Sequence, residues 1–155
     1  GEGSRGYTNH LKRFVKALGL DNEVHFVGFV EGEEKKRVFA EADVFVLPSY
    51  DENFGMAAAE AMIACLPVIV TDQVGLSENV AQRKAGIVVQ AGSSAAITEA
   101  IVTLGDPGLR EEMGRNARTL ATREFCGGSQ STALLALYKK IICDAKIEQT
   151  VGDLS

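Results

Sequence analysis

Three short apolar runs recur along the chain, at residues 44–47, 67–71 and 86–89, and each is typical of a strand that a parallel sheet buries on both faces. Residues 24–27, which include His25, predict a further short strand. Helical periodicity and helix-end residues predict helices between and around them, at residues 7–18, 33–42, 55–66, 77–82, 93–104, 107–125 and 131–142. Strands that alternate with helices predict an α/β fold, here a Rossmann-like, doubly wound parallel sheet with flanking helices.

Residues at helix ends support several of these boundaries. Ser77, and either Ser93 or Ser94, are placed to cap helices. Pro107 suits the first turn of a helix, where its missing N–H would have no partner in any case. Ligands in doubly wound folds bind on the loops at the carboxyl ends of strands, and residues 51–55 occupy such a place.

Composition limits what the chain can be. Its 155 residues, 46% hydrophobic and 24% charged, are enough for one ordinary globular domain with a real core. The net charge of −5 argues against a nucleic-acid partner drawn by bulk charge. Cys65, Cys126 and Cys143 form no CxxC pattern, which predicts reduced, structural thiols and no metal site. The lack of an initiator Met suggests a fragment, with a domain over residues 1–148 and a loose tail over 149–155.

One stretch, residues 49–62, joins an apolar strand to a helix of small and apolar residues. Glu60 is the only ionisable side chain in the predicted helix at residues 55–66. A helix that is apolar on all faces is usually buried, and a buried carboxylate needs a partner or hydrogen-bond donors. Two interpretations stay open: Glu60 pairs with an arginine or lysine from elsewhere, or its oxygens hold vicinal hydroxyls such as those of a ribose.

The start of this helix offers a second kind of chemistry. Backbone amides near Phe54, Gly55 and Met56 have no partner within the helix, and such amides favour an anion, most commonly phosphate. Gly55 lets a ligand approach the backbone closely, and Asn53 would shape the entry. An ordinary capped turn without a ligand is the alternative. Glu52, in the preceding loop, either holds sugar hydroxyls or is a solvated loop residue.

Taken together, Glu52 and Glu60 form an E-x7-E motif with Phe54-Gly55 inside it. The motif resembles the signature of the retaining glycosyltransferases of the GT-B fold, in the group 1 or family 4 branch. The likeness extends over nearly the whole chain. Its further parts are the strand at residues 42–49, the helix and strand at 60–72, and shorter matches at 86–89, 109–114, 123–125 and 134–138.

This resemblance implies the donor-binding, C-terminal half of a two-domain GT-B enzyme, here lacking its first strands. Such enzymes transfer a sugar from a nucleotide diphosphate sugar to an acceptor and retain the anomeric configuration. By position, Glu52 would be the catalytic residue, in the sense of a group that positions the donor sugar, and Glu60 would bind the ribose. The other implied contacts are the donor sugar and diphosphate at Asn53, Phe54, Gly55 and Met56, and the base at Phe29 and Val30.

Partners and cofactors also follow from the resemblance. No metal and no cofactor is expected, since the nucleotide diphosphate sugar is a substrate. The acceptor, a glycan, a lipid or a small molecule, would bind mainly through an N-terminal domain, so the isolated chain is expected to be inactive. The full-length protein is expected in the cytoplasm, and its peripheral association with the inner face of a membrane is an open alternative.

Two local departures from the family pattern affect the site. Val74-Gly75 stands where the family has a pair of glycines, which is expected to tighten the donor loop. Residues 126–128 replace the usual aromatic and acidic residues, so the last helix is expected to be hinged differently.

A third departure is larger. The Arg and Lys that neutralise the diphosphate come from a family loop that precedes Gly1, and Arg5 is the one nearby candidate to supply some of that charge. In the family strand order 3-2-1-4-5-6, residues 24–27 and 44–47 would flank two missing strands. The chain alone is therefore predicted to be marginally stable, with two unpaired inner strand edges.

Three other functions compete with this interpretation. A sugar-nucleotide epimerase could use the same nucleotide site but needs acid and base groups, and His10 and His25 are far from the motif in sequence. A non-catalytic module could bind a nucleotide sugar or only pack against a partner. A generic α/β domain would have no small-molecule site.

Overall fold

The computed structural model describes residues 5–125, with side chains from residue 6 onward. The chain divides into two compact units at the boundary between Val38 and Phe39. The elements in chain order are α1 (Arg5–Ala17), α2 (Gly32–Glu41), β1 (Phe45–Leu47), α3 (Met56–Ile63), β2 (Val68–Thr71), α4 (Ser77–Arg83), β3 (Gly86–Val89), α5 (Ser94–Thr103), α6 (Pro107–Leu120) and a π-helical turn (Ala121–Phe125). The predicted helix at residues 131–142, the substituted segment 126–128 and the predicted tail lie outside the described residues.

The first unit contains α1 and most of α2, and its described residues form no strand. Residues 24–27, predicted as a strand, are irregular instead, and the amide of Val24 donates to the carbonyl of Leu20 at 3.0 Å. The prediction is wrong because a strand needs a neighbour for its backbone groups, and no described strand pairs with this segment. The ring of Phe26 instead lies below the ammonium of Lys12, 5.7 Å from the ring centroid.

The second unit is built on a parallel sheet of three strands in the order β1-β2-β3. Phe45 pairs with Val68, and Val68 pairs with Gly86. Glycine is needed at position 86, because a Cβ atom there would lie 1.9 Å from the carbonyl oxygen of Val68. Among the described residues β1 and β3 each pair on one side only. The low stability predicted for the chain alone stays a prediction.

Helices cover both faces of this sheet. Val68 and Val70 belong to one apolar core, whose largest fully buried members also include Met62, Leu76, Val80 and Leu120. Ile69, between the two valines, points to the opposite face and packs with Ala100 and Leu104 of the α5 region. One strand thus buries side chains in two cores, which confirms the predicted α/β class with a parallel sheet between helical layers.

The caps predicted for the starts of α4, α5 and α6 can be compared with the structure. Ser93 caps α5, since its side chain accepts a hydrogen bond from a backbone amide at 3.2 Å. Pro107 opens α6 as predicted, with Asp106 as its cap. Ser77 does not cap α4: it is the first residue of the helix, it is buried, and Leu76 stands at the cap position without a side-chain bond.

Helix α3 ends three residues earlier than predicted, at a Schellman motif. The amide of Cys65 donates to the carbonyl of Met62 at 3.0 Å, and that of Leu66 to the carbonyl of Ala61 at 3.1 Å. Cys65 has a φ of 67°, the left-handed conformation for which this position usually carries glycine. Its carbonyl packs against Gly114 of α6, where a Cβ atom would lie 2.2 Å away. The motif thus fixes how α6 approaches α3.

Candidate functional site

The loops that follow β1, β2 and β3 meet at the carboxyl edge of the sheet. The hydroxyl of Thr71 donates to the carbonyl of Ser49 at 2.5 Å, which joins the loops after β2 and β1. The carboxylate of Asp72 accepts a hydrogen bond from the amide of Ala91 at 3.0 Å, which joins the loops after β2 and β3. The loop after β2 therefore holds both of its neighbours.

Residues 51–55, the motif loop, run beside the loop that follows β2. The amide of Glu52 donates to the carbonyl of Gln73 at 3.2 Å, and the amide of Gly75 donates to the carbonyl of Glu52 at 2.9 Å. The amide of Leu76 donates to the carbonyl of Phe54 at 3.2 Å. These bonds form a short parallel extension of the sheet and fix the backbone of the motif loop against the start of α4.

Two glycines and a valine set how closely these loops approach. A Cβ atom on Gly75 would lie 2.0 Å from the carbonyl oxygen of Asn53, whose own side chain is exposed. Gly55 has a φ of 95°, and a Cβ atom there would lie 2.8 Å from Cγ1 of the buried Val74. Val74 therefore fills the space beside Gly55, and the expected tightening of the loop relative to the family stays a prediction.

The carboxylate of Glu52 turns back onto the start of α3. Its Oε1 atom accepts a hydrogen bond from the amide of Gly55 at 3.1 Å and a longer one from the amide of Phe54 at 3.4 Å. Glu52 is half-buried, so the alternative of a solvated loop residue does not describe it. The carboxylate also lies near the positive end of the helix dipole. An anion that binds these two amides must displace it.

Glu60 lies on the one open stripe of α3. It is half-buried, and Met56, four residues earlier on the same face, is exposed. The buried residues of the helix are Ala58, Ala59, Ala61, Met62 and Ile63. The expectation that Glu60 is fully buried is therefore wrong, because α3 turns its other faces into the core. A half-buried carboxylate can still accept hydrogen bonds from a ligand that lies along this face.

Sequence reasoning missed the support behind the motif loop. The rings of Phe54 and Phe125 meet edge to face, with 5.1 Å between centroids and an interplanar angle of 86°. Phe125 ends the π-helical turn that follows α6. The neighbouring Glu124 accepts hydrogen bonds from Arg83 at 2.8 Å and 3.2 Å and from Asn79 at 2.8 Å, which joins the turn to α4. The only hint in the sequence was that residues 123–125, which include Phe125, resemble the family.

The residues predicted on the base side belong to the first unit. Phe29 is exposed and Val30 is half-buried there. Arg5 begins α1, and its side chain lies outside the described part of the protein. Their contacts with a ligand stay predictions.

Carboxylates rather than cations mark the carboxyl edge of the sheet. Asp51 and Glu52 lie in the motif loop, and Asp72 follows β2. Within residues 39–125 every lysine and arginine lies on α4 and α6 or just beyond them, at Arg83, Lys84, Arg110, Arg115, Arg118 and Arg123. The three loops of this unit therefore offer an anion backbone amides but no cationic side chain.

No group of three or more His, Cys, Asp and Glu side chains within residues 5–125 could hold a metal ion. Over the same range, no helix has both the length and the apolar character that a membrane span requires.

Comparison with known proteins matches residues 2–120 to the family described as glycosyl transferases group 1. The D-inositol 3-phosphate glycosyltransferase of Arthrobacter sp. (strain FB24) is 36% identical over 128 residues, which are 82% of this chain and 30% of that protein. Sucrose-phosphate synthase from Thermosynechococcus elongatus superposes with a TM-score of 0.70 at 26% identity, over 99% of this chain and 36% of that one. Anabaena HepE, solved with UDP and glucose, gives 0.73 at 25% identity, over 93% and 37%. The chain spans about a third of the length of the first curated relatives, at 35%, 30% and 31%.

Proposed function

This chain belongs to group 1 of the glycosyl transferases, and from that premise we propose that it forms the donor-binding part of a glycosyltransferase. The intact protein transfers a sugar from a nucleotide diphosphate sugar to an acceptor and retains the anomeric configuration. The observation that carries the proposal is the arrangement around Gly55: backbone amides at the start of α3, with Glu52 before them and Glu60 on the open face after them.

The diphosphate accepts hydrogen bonds from the backbone amides at the start of α3. The amides of Phe54, Gly55 and Met56 lie where the helix dipole favours an anion. Because Gly55 has no side chain, the phosphate oxygens can approach the backbone closely. The three described loops after β1, β2 and β3 add no lysine or arginine, so the cations that balance the diphosphate are expected from elsewhere in the intact protein.

Glu52 positions the donor sugar. In the structure its carboxylate accepts hydrogen bonds from the amides of Phe54 and Gly55, and the diphosphate must displace it to bind them. The released carboxylate lies next to the sugar that the diphosphate carries, where it can accept hydrogen bonds from hydroxyl groups. Like charge keeps the carboxylate and the diphosphate from sharing the amides.

Glu60 accepts hydrogen bonds from the two ribose hydroxyls. It lies five residues after Gly55, so a nucleotide whose diphosphate sits at the start of α3 extends along the face that carries Glu60. No metal ion or cofactor takes part.

The sugar and the acceptor are proposed only as classes. The donor is a nucleoside diphosphate hexose, and UDP is the first nucleotide to test, since HepE was solved with UDP and glucose. The acceptor is a glycan, a lipid or a small molecule that binds outside this chain. The reaction takes place in the cytoplasm, at the inner face of the membrane if the acceptor is a lipid.

Titration calorimetry of the intact natural protein with UDP-glucose, GDP-mannose and ADP-glucose tests the proposal. One of these donors should bind, in competition with its own nucleoside diphosphate. Glu60→Gln should weaken that binding about tenfold, because a charged acceptor of two hydrogen bonds becomes a neutral one. Glu99→Gln, which removes an exposed carboxylate from α5, should leave it unchanged.

Two results would count against the proposal. Binding of none of the nucleotide sugars would exclude a donor site in this region. Binding without turnover of any acceptor from a broad panel would favour a non-catalytic nucleotide-sugar module.

A further inference from the structure

The π-helical turn at Ala121–Phe125 is the feature of the second unit that the proposed function leaves unused. A π turn holds one more residue than an α turn, and each added residue rotates the following side chains by about 100° around the helix axis. The turn thereby decides that Phe125, rather than a neighbour, faces the motif loop. Such turns are rare in proteins and occur frequently at functional sites.

Contacts on two sides hold this turn in place. Ala121 is fully buried at its start. Glu124 accepts hydrogen bonds from both Arg83 and Asn79 of α4. The side chains of Arg83 and Glu124 are 62% and 29% exposed, so this link lies at the surface. The turn is therefore tied to the core at one end and to α4 at the other.

We propose that Phe125 is a positioning residue for the motif loop, because its ring fixes the ring of Phe54 and thereby the direction of the amides of Phe54 and Gly55. The identity of the ligand rests on the proposed function. The orientation of the amides does not, since they donate to Glu52 without any ligand. Phe125 acts through Phe54 and touches neither the donor nor the acceptor.

Three supports meet at this loop, and Phe125 supplies one of them. The carbonyl of Asn53 packs closely against Gly75, and Val74 lies beside Gly55. Both hold the side of the loop that faces the loop after β2. The ring of Phe54 packs against the apolar core and meets the ring of Phe125 in the edge-to-face arrangement that aromatic pairs prefer. Without the ring of Phe125, Phe54 can change its rotamer and take the adjoining peptide groups with it.

The expected effect follows from the strength of such a pair. Edge-to-face pairs contribute enough beyond simple burial to change a conformational equilibrium about three- to tenfold. Apparent affinity falls in proportion to the fraction of molecules in the binding-competent conformation. Loss of the ring should therefore weaken nucleotide binding by about three- to tenfold.

Phe125→Leu and Phe39→Leu, made in the intact natural protein, form a matched test. Phe39 belongs to another edge-to-face pair among the described residues, with Phe45 at 5.8 Å and 86°, and that pair does not include the motif loop. The readouts are the dissociation constant for UDP and the hydrogen exchange of the Phe54 and Gly55 amides without nucleotide. Phe125→Leu should weaken UDP binding about three- to tenfold and speed exchange at both amides. Phe39→Leu should change neither, and Phe125→Tyr, which keeps the ring, should restore both.

Several results would overturn the inference. Equal UDP affinity and equal exchange in the Phe125→Leu and Phe39→Leu proteins would mean that Phe125 is only a core residue. So would a Phe54→Leu, Phe125→Leu double variant that binds more weakly than Phe54→Leu alone, since the effect is argued to run through Phe54. If the wild-type protein binds none of UDP, GDP and ADP, the proposed function fails, whereas the exchange measurement still decides the role of Phe125.

A second pair of variants applies if Phe125→Leu does not fold. Glu124→Gln loosens the π-helical turn from α4 at the surface, and Glu111→Gln breaks a comparable exposed ion pair, with Arg115 of α6. Faster exchange at the Gly55 amide in Glu124→Gln but not in Glu111→Gln supports the inference. Equal exchange in the two variants contradicts it.

Discussion

The carboxylate of Glu52 accepts a hydrogen bond from the amide of Gly55, 3.1 Å away, within one motif. Both groups are expected to bind the donor, yet in the structure they form a hydrogen bond with each other. A carboxylate at the start of a helix satisfies the amide and interacts favourably with the helix dipole. In the proposed site, donor binding would therefore exchange one anion for another, and the side chain that leaves is the one proposed to bind the sugar.

Removing that carboxylate should separate binding from transfer. Glu52→Ala should bind UDP several-fold more tightly, because the nucleotide no longer competes with a charged hydrogen-bond acceptor, while sugar transfer by the intact protein should fall at least a hundredfold. Calorimetry and a transfer assay measure the two effects. Asp51→Asn, one residue earlier in the same loop, is the control, since it removes an exposed charge that bonds to no amide in the structure. Weaker UDP binding in Glu52→Ala than in Asp51→Asn would show that the carboxylate does not compete.

Gly55 has a left-handed backbone conformation, and Val74 fills the space that a side chain at this position would need. Gly55→Ala should destabilise the fold by about 2–4 kcal/mol, from the positive φ and the clash with Val74 together. Urea unfolding measures this loss. Gly92→Ala is the matched control: its φ of 78° is also positive, but its Cβ atom would meet only the ring of the exposed Tyr50 at 3.3 Å.

Gly92→Ala should therefore lower the free energy of unfolding by about 1 kcal/mol, since it has the cost of the left-handed backbone without the clash. Adding Val74→Ala to Gly55→Ala should recover part of the stability, because the space beside residue 55 opens. Equal losses for Gly55→Ala and Gly92→Ala would mean that Val74 exerts no steric pressure on the loop.

Cys65 offers a change in the stabilising direction. Cys65→Gly should raise the free energy of unfolding by about 0.5–1 kcal/mol, because glycine adopts the left-handed conformation of this position without steric cost. Cys65→Ser keeps a β-carbon and the backbone strain, so it should give no gain. The same urea experiment compares the two variants. A glycine variant no more stable than the serine variant would mean that the contact of the thiol with Arg118, at 3.6 Å, outweighs the strain.

Much of the fold could be predicted because the relevant patterns are local. The continuous apolar run of β2 requires cover on both faces, and Val68, Ile69 and Val70 meet two different cores. Ser93 and Pro107 mark helix starts through chemistry within one turn. Residues 24–27 carry an equally convincing strand pattern and form no strand, since pairing depends on a partner that the pattern does not encode.

The residues of the candidate site could be proposed from the sequence, whereas their contacts could not. Glu52, Gly55 and Glu60 stand out by their chemistry and by the family resemblance of the E-x7-E motif. The hydrogen bond from Gly55 to Glu52 depends on a side-chain rotamer, which spacing does not fix. The pairing of Phe54 with Phe125 depends on a π-helical turn, and a composition typical of an α-helix gives no sign of it.

The central claim is that Glu60 holds the ribose of a bound nucleotide, and one comparison of ligands tests it most directly. The intact natural protein and its Glu60→Ala variant are each titrated with UDP and with 2′,3′-dideoxy-UDP, which lacks both ribose hydroxyls. In the wild-type protein the loss of the hydroxyls should weaken binding about ten- to a hundredfold, as expected for hydrogen bonds to a charged group. In Glu60→Ala the two nucleotides should bind equally. Equal binding of both nucleotides to the wild-type protein, or an undiminished preference for UDP in the variant, would contradict the account.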